Sequence, residues 1–289
     1  MSKILFIRKA SLGDVILTTG VIREYCKINN CKVDVHTDSV DVFKNSPYVE
    51  NIVRNADKSK YEKVFDLTLV SETNSKQHSI DAYSEFVFNE IKMDSNPELF
   101  ALPSDEMENL PDNFIAMHLR KHFGGKSRNL PFDFYVKVVK GILAESDLNI
   151  VIVGSSGDIT ASGIIDNNDG RPDSRIFDRS KLSLQQTYCV INKAKAFVGV
   201  DSSPMHIASC TKTPILSFFT QSSHKIRESK YRIGSKHISI AADIDCYGCI
   251  ETDWNTPKEC RRDDFECVNR FDAENVVEQL KELIKFIPQ

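Results

Sequence analysis

No apolar run in this sequence approaches the length of a membrane span, which excludes a membrane-crossing helix. There is no surplus of positive charge either. The 37 Lys and Arg against 41 Asp and Glu leave a formal charge of −4, so the balance gives no case for a nucleic-acid partner and leaves at most peripheral membrane contact through a local basic patch. Repeats at solenoid period and low-complexity tracts are absent, which excludes stacked-repeat and disordered architectures. The opening Ile4-Leu5-Phe6-Ile7, flanked by Lys3 and Arg8, is too short for a signal-peptide core and reads as a buried strand, so a cytoplasmic location is expected. What remains is a soluble globular chain: 289 residues, 41% hydrophobic and 27% charged, are enough for two domains with separate cores.

Along the chain, short β-branched runs alternate with helical periodicity. Lys3 to Arg8 reads as a strand, Lys9 to Gly13 as a loop, and Asp14 to Ile28 as a helix with Val15, Leu17, Val21, Ile22 and Tyr25 on its apolar face. Strands at Lys32 to Thr37, Asn51 to Arg54 and Lys63 to Val70, a short helix at Val40 to Lys44 and a helix at Ile80 to Ile91 continue the pattern. Asp94 to Asn113 holds prolines and acids without periodicity and reads as a linker. The alternation then restarts with strand Phe114 to Leu119, a basic glycine loop Arg120 to Pro131, helix Phe132 to Ser146 and strand Asn149 to Val153. Next come a Gly154-to-Asp158 turn into another helix, a polar loop over Asn167 to Arg175, and helix Ser183 to Lys193. The expected organisation is therefore α/β, with parallel sheets in domains 1–107 and 108–271 and a C-terminal helix within 272–289.

The stretch Ala196 to Phe219 stands at the centre of this plan: a strand, the turn Asp201-Ser202-Ser203-Pro204, a short helix and a second strand. Ser and Asp suit an N-cap and Pro204 a first helical position, so amide groups of Ser202 to Met205 are expected to point beyond the strand's carboxyl end as an anion seat; an ordinary capped connection is the alternative. A second signal is Cys246-x2-Cys249-x10-Cys260-x6-Cys267. Four thiolates with one tight pair suit a structural zinc or iron; reduced thiols or a disulfide are the alternatives. Cys26, Cys31, Cys189 and Cys210 read as small core residues.

The segments ILFIRKASLGDVILTTGVIRE, NSPYVENIV, GSSGD, LSLQQTYCVINKAKAFVGVDSSPMHIASCTKTPILSFF and CYGC followed by CVNRFDAENVVEQL occur in the order that resembles glycosyltransferase family 9. The resemblance covers nearly the whole chain. It implies a GT-B fold, two Rossmann-like domains facing across a cleft, and inverting heptose transfer from an ADP-linked donor to a glycan of lipopolysaccharide type without a catalytic metal or other cofactor. The acceptor side would lie in the first domain and the nucleotide-sugar side in the second; a lipid-linked glycan or a protein is also an acceptor of the right chemistry. The chain departs from the family where Ser203 replaces a usual glycine, where Lys126 to Pro131 only loosely matches the usual Lys-x-Trp-Pro, and where Asp158 replaces a glutamate.

Inverting transfer needs a base for the acceptor hydroxyl and help for the departing diphosphate. The resemblance makes Asp14 the base, although a helix cap is its other reading. It assigns the donor to Asp201, Ser202, Ser203, Met205 and His206, with Lys126 or Arg128 countering leaving-group charge and Asp158 near the ribose. Arg8 and Gly13 fall on the acceptor side. A scaffold that binds a sugar nucleotide or glycan without transferring it is the rival reading, and an interaction module built on the cysteine loop is a second.

Overall fold

A computed structural model describes residues 3–74, 76–102, 109–119, 126–155, 158, 164, 173–231, 235–249, 260 and 262–285, with the Lys126 side chain outside that description. The first half forms a four-stranded parallel sheet from β1 (Ile4–Ile7), β2 (Val33–His36), β3 (Val49–Val53) and β4 (Lys63–Asp66), in the order β3-β2-β1-β4. The helix α1 (Leu12–Asn29) follows β1 and buries Val15, Ile16, Leu17, Val21 and Ile22. It stops where Asn30 turns left-handed and returns its amide to the Cys26 and Lys27 carbonyls, a C-cap that asparagine tolerates. Two helices close this half, the short α2 (Val70–Thr73) and α3 (Ser79–Phe88).

The second half forms a six-stranded sheet in the order β10-β9-β8-β5-β6-β7, every pair parallel. Its strands are β5 (Phe114–His118), β6 (Asn149–Val153), β7 (Ile176–Arg179), β8 (Phe197–Val200), β9 (Ile215–Phe219) and β10 (His237–Ala241). The helices are α4 (Phe132–Glu145), α5 (Leu184–Lys193), α6 (Ser203–Ser209), α7 (His224–Arg227) and α8 (Ala273–Lys285). Both faces of this sheet are covered, which is why β5, β8 and β9 read as nearly unbroken apolar runs. On one face α4 packs with α8, where a Cβ on Gly141 would stand 2.8 Å from Val277 Cγ2. On the other, Phe114, Val151, Met205 and Ile207 join the cluster that contains Phe6, Val15 and Phe65 of the first half. One apolar core therefore runs through both sheets.

Several elements differ from the sequence reading. Val40 to Lys44 is only a 3-10 turn over Val40–Val42, cut short before Asn45, whose φ of 63° ends any helix. The strand expected to reach Val70 ends at Asp66, because Leu69 takes a φ of 63° and opens α2. Asn89 ends α3 in the left-handed region, well before Ile91. Strands β7 and β10 were not anticipated: both lie at sheet edges and are only partly buried, so neither carries a long apolar run. The helix expected after Asp158 falls mainly outside the described residues, as do 103–108 of the expected linker and the end of the C-terminal helix. Of the four cysteines read as core, Cys26 is buried and Cys31, Cys189 and Cys210 are partly so. No helix among the described residues is long and apolar enough to cross a membrane.

Candidate active site

Both sheets reverse direction of growth beside their central strand: β2 lies on one side of β1 and β4 on the other, while β6 and β8 flank β5. A crevice opens at the carboxyl ends of strands at such a point. In the first sheet it is lined by Arg8, which follows β1, by Asp14 in the first turn of α1, and by Glu72 of α2. In the second it is lined by His118, Asp201 and Ser202. The two crevices meet. Gly13 sits so close to α6 that a Cβ there would lie 2.6 Å from His206 Cδ2, and α1 packs along α6.

Asp14 is the hub. Its Oδ2 is 3.1 Å from Arg8 and its Oδ1 is 2.9 Å from Arg227, which reaches across from α7 of the other half. Arg8 also donates to Glu72 Oε1 at 2.6 Å; Ser71 Oγ donates to Glu72 Oε2 at 2.8 Å and lies 3.0 Å from the Tyr83 hydroxyl. Burial alone would push the Asp14 carboxyl up, but Arg227, Arg8 and His206 together hold it below the ordinary carboxylate range. Asp201 is in the same position: burial opposes its charge, and Arg128, His206 and Arg227 outweigh burial and hold its carboxyl well down. His206 Nε2 stands 3.6 Å from Asp201 Oδ1 and Arg128 3.7 Å from Oδ2, an oxygen that makes no hydrogen bond among the described residues. Three arginines thus face three carboxylates in one continuous cluster.

The structure brings together Arg8, Asp14, Arg128, Asp201, Ser202 and His206, and Ser203 and Asp158 line a cavity that adjoins them. Ser202 occupies the N-cap position, yet its side chain makes no cap bond; Oγ turns to His118 Nδ1 at 3.0 Å and to the Val200 carbonyl at 3.1 Å. The expected row of free amides is shorter than expected. The Met205 and His206 N–H groups donate to the Ser202 carbonyl and Pro204 has none, so among the described residues the amides of Ser202 and Ser203 remain for a ligand. Met205 buries its side chain completely in the core and offers nothing to the crevice. Gly13 faces His206, serves the close contact between the halves and stays partly exposed. Of the two candidate cations Arg128 is placed, donating to Ser222 Oγ at 3.2 Å; the Lys126 side chain lies outside the description. Asp158 Oδ2 accepts from the Ser155 amide at 2.8 Å and hydroxyl at 2.9 Å, and from His118 at 3.2 Å.

A cavity of about 520 Å³ adjoins this cluster, bounded by Leu12, His118, Asp158, Ser180, Leu184 and Ser202. The Ser180 hydroxyl is buried there without a hydrogen bond among the described residues. Arg227, Glu72, Tyr83, His118 and Ser180 were missed by the sequence reading. The signal for Arg227 was a basic run, HKIRESKYR, just after a strand's carboxyl end, where ligands gather.

The cysteine quartet gathers around Cys267. The Cys267 thiol is pushed up to about 11, first by burial and then by Cys249, Cys260 and Cys246, so the four sulfurs lie in one neighbourhood. Their chemistry fits zinc or iron. Among the described residues, however, no three His, Cys, Asp or Glu side chains meet in ligand geometry; Cys260 Sγ instead lies 3.6 Å from Asp264 Oδ1.

The family model for glycosyltransferase family 9 (heptosyltransferase) matches residues 67–256. A putative glycosyltransferase of Haemophilus influenzae is 28% identical over 121 residues, which cover 40% of this chain and 34% of that protein; the match thus spans about a third of the relative. Among solved structures, a family 9 glycosyl transferase from Veillonella parvula superposes with a TM-score of 0.72 at 14% identity, covering 98% of this chain and 97% of the other. The dodecameric iron-containing heptosyltransferase TibC, solved with ADP-D-beta-D-heptose, gives 0.73 at 13% identity, covering 98% and 76%. E. coli ADP-heptose LPS heptosyltransferase II gives 0.65 at 14%, covering 96% and 99%. At such identities these likenesses carry the fold alone, two α/β halves of the GT-B type. The family model covers most of the chain and includes the turn at Asp201 and the segment bearing Arg227, and the chain belongs to glycosyltransferase family 9.

Proposed function

We propose that this chain is an inverting glycosyltransferase that takes heptose from ADP-heptose and delivers it to a hydroxyl of a lipopolysaccharide-type glycan, with Asp14 as the base. One observation carries this reading. Asp14 from the first half and Asp201 from the second, which any transfer across a GT-B cleft would need on facing walls, belong to one charged cluster beside a cavity of about 520 Å³. Asp201, with one carboxylate oxygen that makes no hydrogen bond among the described residues, would accept from sugar hydroxyls, and the Ser202 and Ser203 amides with Arg128 would take the diphosphate and the charge that develops on it. The apolar wall of Leu12 and Leu184 and the Ser180 hydroxyl suit a nucleobase. That TibC was solved with ADP-D-beta-D-heptose supports the donor proposed here.

The test is a thermal-shift panel of nucleotide sugars. A ligand that binds only the native state raises the melting point by mass action, so ADP-heptose at a hundred times its Kd would add about 2.7 kcal/mol of stability. Larger shifts with UDP- or GDP-sugars would overturn the donor; no shift with any would overturn the site. A transfer assay separates the enzyme from a binding-only scaffold. One observation favours the scaffold: Asp14, paired twice, is a poor proton acceptor in this arrangement.

A further inference from the structure

His118 has no role in the scheme above, yet it occupies the carboxyl end of the central strand β5 and lines the cavity. Its ring is buried and bridges two turns. Nε2 is 3.2 Å from Asp158 Oδ2, in the turn after β6, and Nδ1 is 3.0 Å from Ser202 Oγ, in the turn after β8. The backbone makes room for that bridge. Gly154, at a φ of 148°, lies where a Cβ would stand 2.9 Å from both His118 Cδ2 and Asp158 Oδ2, and a Cβ on Gly199 would stand 3.2 Å from His118 Cβ.

The protons can be counted from the partners. Asp158 Oδ2 already accepts from the Ser155 N–H and O–H, so it acts as an ionised acceptor and His118 Nε2 carries a hydrogen. Nδ1 then has two states. If it is bare, it accepts the Ser202 hydroxyl hydrogen, and Ser202 turns only lone pairs toward the cavity. If it is protonated, it donates to Ser202 Oγ, and the Ser202 hydrogen is released to the Val200 carbonyl 3.1 Å away or to a ligand oxygen.

We propose that His118 is a positioning residue of the donor site: its doubly protonated form turns the Ser202 hydroxyl toward a diphosphate, so that nucleotide-sugar binding takes up a proton at His118. The inference rests on the donor reading of the cavity. An anion favours this state twice, through the freed hydroxyl and through the imidazolium charge. The other charged groups around the ring come from each neighbouring turn: Asp158 after β6, Lys181 after β7, and Asp201 after β8, with Arg128 and His206 beyond it. His206 is the other imidazole in this set and stays in place in the variants below.

Calorimetric titration with ADP-heptose, in buffers of different ionisation enthalpy between about pH 6 and 9, reads the uptake directly, because a diphosphate diester has no proton of its own to exchange in that range. For the unaltered chain the expected result is net proton uptake on binding, with affinity falling as the pH rises, by up to about tenfold per pH unit where uptake is complete. In His118→Gln the uptake disappears and the affinity is flat with pH. Ser202→Ala retains the imidazole and tests the coupling independently of the fold at His118; it is expected to take up clearly less proton than the unaltered chain and to bind more weakly at low pH, because only the imidazolium charge then links binding to the proton. Unchanged uptake in either variant, or binding without uptake in the unaltered chain, would overturn the role of His118 and leave the donor reading standing. Failure of the unaltered chain to bind any nucleotide sugar would overturn both.

Discussion

A carboxylate held between two guanidinium groups is a stable anion, and Asp14 must lose one of them to become a useful base. Arg8 is fastened from behind by Glu72, whereas Arg227 comes from the opposite half, so Arg227 is the partner that substrate can draw away. Asp14→Asn keeps the size of the side chain and removes the base. It is expected to leave the fold and ADP-heptose binding intact while transfer falls by about 10²–10⁴, and near-normal turnover would refute the assignment. Arg227→Met tests the other side of the pair. It strands Asp14 and Asp201 with less compensation, so denaturant unfolding should show a loss of about 3–5 kcal/mol. The pH dependence has a definite sign: both carboxyls are held below their unfolded value, so their stabilisation is complete above about pH 4 and drains away as the pH falls further. Arg8, Asp14, Asp201 and His206 were legible in the sequence because each sits beside a strand end or helix start with a local signature. Arg227 was not, since its pairing with Asp14 spans 213 residues and the basic run around it does not single out one arginine.

The alternation of strands and helices was legible because each buried face repeats along the chain; the ends of elements were not. They depend on single residues such as Leu69 and Asn89 adopting left-handed backbone, and on edge strands whose burial only the assembled sheet supplies. The start of α3 shows how such an end becomes functional. His78 caps the helix by accepting from the Ile80 amide at Nδ1, so Nε2 bears the hydrogen and donates to the Glu228 carbonyl of the other half at 2.8 Å. Protonating Nδ1 would break the cap. Burial pushes this imidazole down to about 4, so its neutral form stabilises the fold above about pH 6.5, and that contribution is lost as the pH falls toward 4. The loss is on the order of 3 kcal/mol, and it should vanish from the stability-versus-pH curve of His78→Asn, whose amide oxygen can still cap. A curve of unchanged shape would show that His78 titrates normally. Gly20 marks a second fixed point, where a Cβ would stand 2.2 Å from the Ser95 carbonyl oxygen and 2.4 Å from that of Asn96. With rigid backbone on the far side, Gly20→Ala should destabilise by about 1–3 kcal/mol in thermal or denaturant unfolding despite the helix propensity of alanine.

Across the whole molecule, one segment of the second half governs the contact with the first. Residues 224–231 place Arg227 on Asp14, the Ile226 and Glu228 carbonyls on Ser79 and His78, and Lys230 and Tyr231 on Asp81. What holds that segment is the cysteine loop: the Tyr247 hydroxyl, between Cys246 and Cys249, accepts from the His224 amide at 2.7 Å and meets His224 Nδ1 at 2.8 Å, and the Gly248 amide reaches the Thr220 carbonyl. A loop with this task needs rigidity that its own small apolar content does not provide. Four neighbouring sulfurs would gain it by binding a thiophilic ion, which takes them as thiolates and releases their protons, against the burial that pushes the Cys267 thiol up to about 11. Purified chain is therefore expected to carry about one zinc or iron, and its removal by chelation, or Cys246→Ser with Cys249→Ser, should lower the melting point, because the segment that joins the two halves loosens. If metal analysis finds none and the double variant melts as before, the loop is held by its hydrogen bonds and packing, and the approach of Arg227 to Asp14 is fixed from the first half, through Ser79 and Asp81.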